Sequence, residues 1–348
     1  MDFLAIDYRN PAFSIAMLLI VIAAVATIDH LIGVFKRRFQ DRKLTRFLSR
    51  FNSHAKSADY KAILNYEPGA LYSLILLAGI YYKSGDYSET MKICLALLDI
   101  ATDRNTRVTV MLQLARAYFK AGFLQRSRDI LLESIRLRSR NHEALELLLI
   151  IYEQMREYKL ALEVLSALRE LGDDVSRETA FLEANQLLGD PFITESKRQI
   201  EAAELIKTSP FLARLLLSYL LPRNPKLAWE CMGQEEAKAT IDLFWNLPKE
   251  AINEAKAQQI PLLSELYTAK GVFESATGSS VFELDLLIRL GDNRAVCKLE
   301  FEYRCEHCQA LYPVHFDRCP GCLTLGAVAI ETVLSKNEDT NEDSANFY

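Results

Sequence analysis

The chain lacks the signatures that most enzymes of its length display. Its 348 residues contain no Gly-x-x-x-x-Gly-Lys phosphate loop, no Gly-x-Ser-x-Gly elbow, no His-Glu-x-x-His pair and no dinucleotide fingerprint. Histidine is scarce, with five in all. His30 borders an apolar run, His54 and His142 stand outside any motif, and His307 and His315 flank cysteines. No catalytic constellation is expected. A basic stripe is also missing beyond one short N-terminal cluster, and the net charge of −5 argues against a nucleic-acid partner. Between about residues 45 and 295 prolines are few and no alternating pattern is long enough for a sheet, which leaves helices.

What the chain does have is most concentrated near its C-terminus. Cys305-Glu306-His307-Cys308 is followed after ten residues by Cys319-Pro320-Gly321-Cys322. Two Cys-x-x-Cys pairs at this spacing can each form a tight knuckle, so that four thiolates converge on one tetrahedral ion. Cys305, Cys308, Cys319 and Cys322 are therefore the expected ligands of Zn²⁺, with Fe in a rubredoxin-like site as the alternative, since tetrahedral S₄ suits both. Disulfides would need an oxidising compartment, and a redox dithiol would want a single pair beside a βαβ pattern. His307 and His315 read as surface or packing residues, because four thiolates already close a structural site. Cys94, Cys231 and Cys297 are isolated and read as small apolar packing residues.

Near the N-terminus, Pro11 to Ile28 carries no charge, and the apolar character resumes at Leu31 before Lys36-Arg37-Arg38. Eighteen helical residues span about 27 Å, close to the hydrocarbon thickness of a bilayer. Basic residues follow this run rather than precede it, which favours a retained anchor over a cleaved signal peptide. The expected order is a short extracytoplasmic lead (1–10), a transmembrane anchor (11–35) and a basic juxtamembrane segment (36–50), with the remainder in the cytoplasm. That basic segment could also contact membrane lipid.

The middle of the chain repeats. Segments 76–98, 113–135 and 148–168 align on Tyr81, Tyr118 and Tyr152 with spacings of 37 and 34 residues, and 34 is the tetratricopeptide period. Ala78, Ala115 and Leu149 precede the tyrosine, Thr90, Ser127 and Ala161 recur in the second helix, and Gly85, Gly122 and Arg156 occupy the turn. Residues 51–298 are thus expected to form tetratricopeptide-like helical repeats, degenerate from about 176 onward or giving way there to a separate helical cap. Inner helices would present Tyr72, Tyr82, Lys83, Arg116, Phe119, Lys120 and Glu153 on a concave side, a composition that also suits packing between repeats. The module at 299–334 follows, and an acidic tail at 335–348 with little to bury is expected to be disordered.

An apolar N-terminal run, tetratricopeptide repeats and Tyr303-Arg304-Cys-x-x-Cys with a second Cys-Pro-x-Cys ten residues on resemble the lipopolysaccharide assembly protein B family. The chain departs from that pattern in its shorter repeat array, its longer lead, its acidic tail and Gln309, where the first knuckle usually has glycine. The resemblance implies an all-α fold with a rubredoxin-like or zinc-ribbon Cys₄ module packed back on the repeats. It implies a non-catalytic, single-pass adaptor of the bacterial inner membrane, facing the cytoplasm. Its partners would be proteins: a membrane-embedded ATP-dependent protease, the deacetylase that commits carbon to lipid A, and lipopolysaccharide assembly proteins. Another envelope complex, or electron transfer at an iron Cys₄ centre, are the alternatives.

Overall fold

The computed structural model describes Tyr60 and residues 70–337. The expected anchor and its basic flank lie outside the described residues, as does the expected tail beyond Asn337; the tail's first residues, Ser335 and Lys336, are instead ordered at the end of a strand, paired with Lys298 and Cys297. No helix among the described residues is long and apolar enough to cross a membrane. The chain divides into two compact units after Ser139.

Among the described residues of the first unit, α1 (Ala70–Lys83), α2 (Tyr87–Ile100), α3 (Arg104–Lys120) and α4 (Leu124–Leu137) pack in chain order. Their starts are written locally. The Glu89 N–H donates to Asp86 Oδ1 at 3.1 Å, and the Thr106 N–H donates to Asp103 Oδ2 at 2.8 Å. Each cap satisfies a backbone donor that has no partner within the helix, worth about 1 kcal/mol. Ile93, Leu97, Leu114 and Leu131 are wholly buried between the helices, each contributing about 1.5–3 kcal/mol.

The first two repeats are copies at the level of single atoms. Thr90 Oγ1 donates to the Ala78 carbonyl at 3.3 Å, and Ser127 Oγ donates to the Ala115 carbonyl at 2.7 Å. Small residues let the paired helices approach closely enough for these bonds. All four are fully buried. The turns match as well: Gly85 and Gly122 take φ of 84° and 83°. The Asp86 N–H donates back to the Tyr81 carbonyl, and the Phe123 N–H to the Tyr118 carbonyl. This pattern satisfies helix-terminal carbonyls and needs a left-handed residue, which glycine adopts without strain.

The second unit begins with α5 (His142–Gln154), α6 (Tyr158–Leu171), α7 (Ser176–Gly189) and α8 (Glu195–Thr208). The turn between α5 and α6 has the same bonds, with the Glu157 N–H donating to the Tyr152 carbonyl at 2.9 Å. Here, however, the left-handed residue is Arg156, at φ 60°. Ala161, at the position of Thr90 and Ser127, is again fully buried.

Beyond α8 the helices shorten: α9 (Ala213–Leu220), α10 (Pro225–Glu230), α11 (Gln234–Ala239), α12 (Ile241–Trp245), α13 (Glu254–Gln259), α14 (Pro261–Lys270) and α15 (Phe282–Leu290). Pro225 and Pro261 open their helices, and Pro210 opens a 3₁₀ turn at Pro210–Leu212. At a first helical position the missing N–H costs nothing and φ is already set. Trp229 packs edge-on against Phe244 with ring centres 4.9 Å apart, and its Nε1 donates to the Ala251 carbonyl at 2.9 Å.

Helix gives way at Cys297 to an antiparallel sheet of β1 (Cys297–Cys305), β2 (Leu311–Tyr312) and β3 (Val328–Lys336), in the order β2-β1-β3. The all-α expectation therefore stops at Val296. Leu299, Phe301, Tyr303 and Cys305 alternate with polar residues in β1, the strand signal of this segment. Pairing runs unbroken from Cys297 opposite Lys336 to Cys305 opposite Val328.

Replacing Arg156 with glycine removes a left-handed side chain from a repeated turn. Urea denaturation of Arg156→Gly is expected to show a gain of about 1 kcal/mol. An unchanged or lowered midpoint would mean that the arginine side chain offsets its own strain.

Candidate metal centre

Each cysteine pair is held by the same turn. In the first knuckle the Cys305 N–H donates to the Ala310 carbonyl and the Gln309 N–H to the Cys305 carbonyl, at 2.9 and 2.8 Å. In the second, the Cys319 N–H donates to the Thr324 carbonyl and the Leu323 N–H to the Cys319 carbonyl, at 3.0 and 2.9 Å. Gln309 and Leu323, four residues after the first cysteine of each pair, both sit near φ 60°. Gln309 adopts this conformation with its side chain tied down. Its Nε2 donates to the Glu306 carbonyl at 2.7 Å, and its Oε1 accepts from Arg304 Nη1 at 2.6 Å.

The knuckles bring the four sulfurs of Cys305, Cys308, Cys319 and Cys322 within 4.8 Å of one another. Cys305 and Cys322 are 3.6 Å apart, as are Cys308 and Cys319. A tetrahedron with metal–sulfur bonds of about 2.3 Å has edges of about 3.8 Å, so the spacing fits one ion. Disulfide bonding would require about 2.05 Å. All seven cysteines are free thiols. Gly321 permits this closeness, since a Cβ there would lie 2.8 Å from Tyr312 Oη.

Crowding splits the thiol titrations. Thr324 Oγ1, 3.3 Å from Cys322 Sγ, helps hold that thiol down at about 5. At Cys308 the Ala310 amide favours the thiolate, but burial and the neighbouring thiols outweigh it and push the group up to about 11. Four thiolates in this volume would need a cation, and the donor set is that of a closed structural site with no open coordination position. His307 is exposed, whereas His315 packs edge-on against Tyr303 with ring centres 5.4 Å apart. Burial, reinforced by Arg214, drives the His315 imidazole down to about 4 and keeps it neutral near pH 7.

The module is bolted to the helices of its own unit. Arg318, beside Cys319, donates from Nε and Nη2 to the Glu153 carboxylate on α5 at 2.7–3.0 Å, and from Nη1 to the Leu323 carbonyl at 2.8 Å. Tyr303 Oη donates to Asp242 Oδ2 at 2.6 Å, while Arg214 pairs with the other oxygen of this buried carboxylate. Burial and Asp242 together push the Tyr303 hydroxyl up to about 12. Thr332 Oγ1 donates to Glu283 Oε2 at 2.7 Å. A Cβ on Gly326 would meet Arg177 Nη2 at 3.0 Å, and that guanidinium lies 4.8 Å from the Phe211 ring centre.

The expected concave residues fall into three groups. Tyr72, Lys83, Arg116 and Lys120 are exposed on α1 and α3, with Tyr82 half-buried near Arg116. Phe119 is buried, with Lys120 Nζ 5.9 Å from its ring centre. Glu153 lies in the second unit with its carboxylate engaged by Arg318. Sequence reasoning did not identify Arg318, Arg214 or Asp242, whose partners are distant in the chain.

No family model and no curated protein matches the chain. Among solved structures it is similar to a MamA double mutant, MamA RS-1 ArsTM, at 16% identity over 50% of this chain and 96% of that one, with a TM-score of 0.38. It is also similar to BtubC from P. vanneervenii at 14% identity over 69% and 86%, with a TM-score of 0.27.

Two outcomes test the site. One metal ion per chain is expected by elemental analysis, and Cys319→Ser should lose it, because structural tetrathiolate binding is worth about 10–16 kcal/mol and cannot tolerate a missing ligand. Glu153→Gln should cost about 3 kcal/mol by leaving the Arg318 charge buried without its partner, whereas Glu153→Met combined with Arg318→Met should recover much of that. Additive losses in denaturant melts would show that the pair is energetically idle.

Proposed function

We propose that the protein is a non-catalytic scaffold of the bacterial inner membrane that limits lipid A commitment by bringing a deacetylase to a membrane-embedded ATP-dependent protease. The observation that carries this reading is the closed four-cysteine site fixed to a helical unit. Such a metal organises a surface and leaves no position for substrate. The apolar run at 11–35, the repeats and the module stand in the order of the family that the sequence resembles. Zinc is the proposed ion, and its site is colourless, whereas iron tetrathiolate absorbs visible light.

An adaptor of this kind acts by raising local concentration, so that its second encounter becomes effectively intramolecular. The exposed cations Arg116 and Lys120 are assigned to the contact surface. Depletion should lengthen the lifetime of the deacetylase and raise lipopolysaccharide. Arg116→Glu with Lys120→Glu should leave helicity and metal intact and reduce partner recovery from detergent-solubilised membranes. Unchanged deacetylase turnover after depletion would refute the pathway assignment.

A further inference from the structure

Strand β3 stands at one end of the sheet order β2-β1-β3, so one of its edges has no neighbouring strand among the described residues. Which backbone groups face that edge follows from the register. The Glu306 N–H donates to the Ala327 carbonyl and the Asn337 N–H to the Val296 carbonyl, both at 2.9 Å, one bond just beyond each end of the β1–β3 ladder. In an antiparallel pair the hydrogen-bonded positions recur at every second residue. Ala329, Glu331, Val333 and Ser335 therefore turn their N–H and C=O groups toward β1, and Ile330, Thr332 and Leu334 turn theirs to the other edge. No group among the described residues bonds to those outward N–H and C=O groups. The strand is nine residues long, above the usual length of about five or six, and has neither proline nor bulge to blunt its edge.

A cavity of about 310 Å³ opens beside the same strand, within the second unit. Ile330 and Thr332 of β3 line it together with Ile241, Leu262 and Val281, and Lys238 and Glu265 supply its charges. The carboxylates here lack a cation. Glu265 Oε2 accepts from Ser279 Oγ, and Glu283 Oε2 accepts from Thr332 Oγ1 at 2.7 Å, but neither acid has an ion pair among the described residues. Lys238 is spent on Glu235, with Nζ 2.9 Å from Oε1. An occupant of this place therefore meets three demands at once: backbone donors and acceptors at a two-residue period, an apolar side chain for the cavity, and positive charge for Glu265 and Glu283.

We propose that β3 receives an extended segment of a partner protein as an added antiparallel strand, with an apolar side chain in the cavity and flanking Lys or Arg side chains on Glu265 and Glu283. Residues directly opposite each other in an antiparallel pair share a face. The partner residues opposite Ile330, Thr332 and Leu334 thus bond to the edge through their backbone and point their side chains to the cavity side. Backbone bonds supply affinity and the alternate side chains supply specificity. The segment is accordingly apolar at its centre and basic two residues to either side. This contact goes beyond the proposed scaffold reading, which assigns partner contact to Arg116 and Lys120, and either fails without the other.

The test uses the full chain in detergent and, as probe, a fluorescent heptapeptide Thr-Arg-Thr-Leu-Thr-Arg-Thr blocked at both ends. Saturable binding is expected by anisotropy, with amide hydrogen exchange slowed at Ile330, Thr332 and Leu334. Methylating the backbone nitrogens of the leucine and both arginines, which face β3, should weaken binding about tenfold or more, whereas methylating an equal number of threonine nitrogens should not. Glu265→Gln with Glu283→Gln should weaken it about tenfold, and Glu300→Gln with Glu302→Gln on β1 should leave it unchanged. Helicity and metal content serve as folding controls, and the methylated peptides test the edge without altering the protein. No saturable binding, or binding indifferent to which nitrogens are methylated, overturns the proposal. So does a full chain that sediments as a dimer with its β3 amides already protected, because a second copy then holds the edge. Partner recovery that still depends on Arg116 and Lys120 when the peptide does not bind would retain the scaffold and discard the added strand.

Discussion

The guanidinium of Arg318 is the constraint on which the metal module depends. Two of its nitrogens hold Glu153 on α5, and a third holds the carbonyl of Leu323. Leu323 is the left-handed residue of the second knuckle, and its N–H closes the turn that aims Cys319. One side chain therefore fixes both the docking of the knuckle and its internal shape. Because the side chains of Arg318 and Glu153 are only 12% and 13% exposed, each charge needs the other. The geometry of the second knuckle and its docking on α5 are consequently coupled: whatever loosens one relaxes the other.

Left-handed residues express a second constraint. Among the described residues, Arg156, Gln309 and Leu323 alone take positive φ without being glycine. Each stands in a turn that the chain uses more than once. Gly85 and Gly122 show what the repeat turn prefers, and the two knuckles superpose bond for bond. A non-glycine residue there costs about 1–2 kcal/mol and persists only when its surroundings over-determine it. For Gln309 that support is visible in its contacts with Glu306 and Arg304, which explains how the first knuckle closes without a glycine. For Leu323 the support is Arg318. Among the described residues the Arg156 side chain has no comparable clamp.

What could be read from the sequence was what is local. The turns at Gly85 and Gly122 and each Cys-x-x-Cys pair are decided within about six residues; the helix starts at Asp86 and Asp103 and the openings at Pro225 and Pro261 are equally local but were not named. The period that aligned Tyr81, Tyr118 and Tyr152 extended this to the helix pairs, because equivalent residues meet equivalent neighbours. The strand at Cys297–Cys305 was missed although it alternates, because helical repeats were expected as far as residue 298. The contacts that seat the module were not. Glu153 and Arg318 are 165 residues apart, and Tyr303 and Asp242 are 61 apart. Nothing in a charge pattern says which of many acids an arginine will find, and so Glu153 could be placed on an inner helix without its partner being foreseen.

Charge is distributed by sign along the chain, basic up to residue 139 and acidic after it. At physiological ionic strength fields between exposed charges decay over about 8 Å, so net charge alone selects nothing at longer range. Selectivity has to come from contact, where cations and apolar groups stand at a fixed spacing and a ligand must match both. On α1, Tyr72 and Lys83 are exposed at a spacing fixed by one helix, and Arg116 and Lys120 are exposed on α3. A segment that offered carboxylates without rings would gain only weak, screened attraction, and one that offered rings without carboxylates would leave the cations to water. The requirement for both at matched distance is what separates a docking surface from a basic patch.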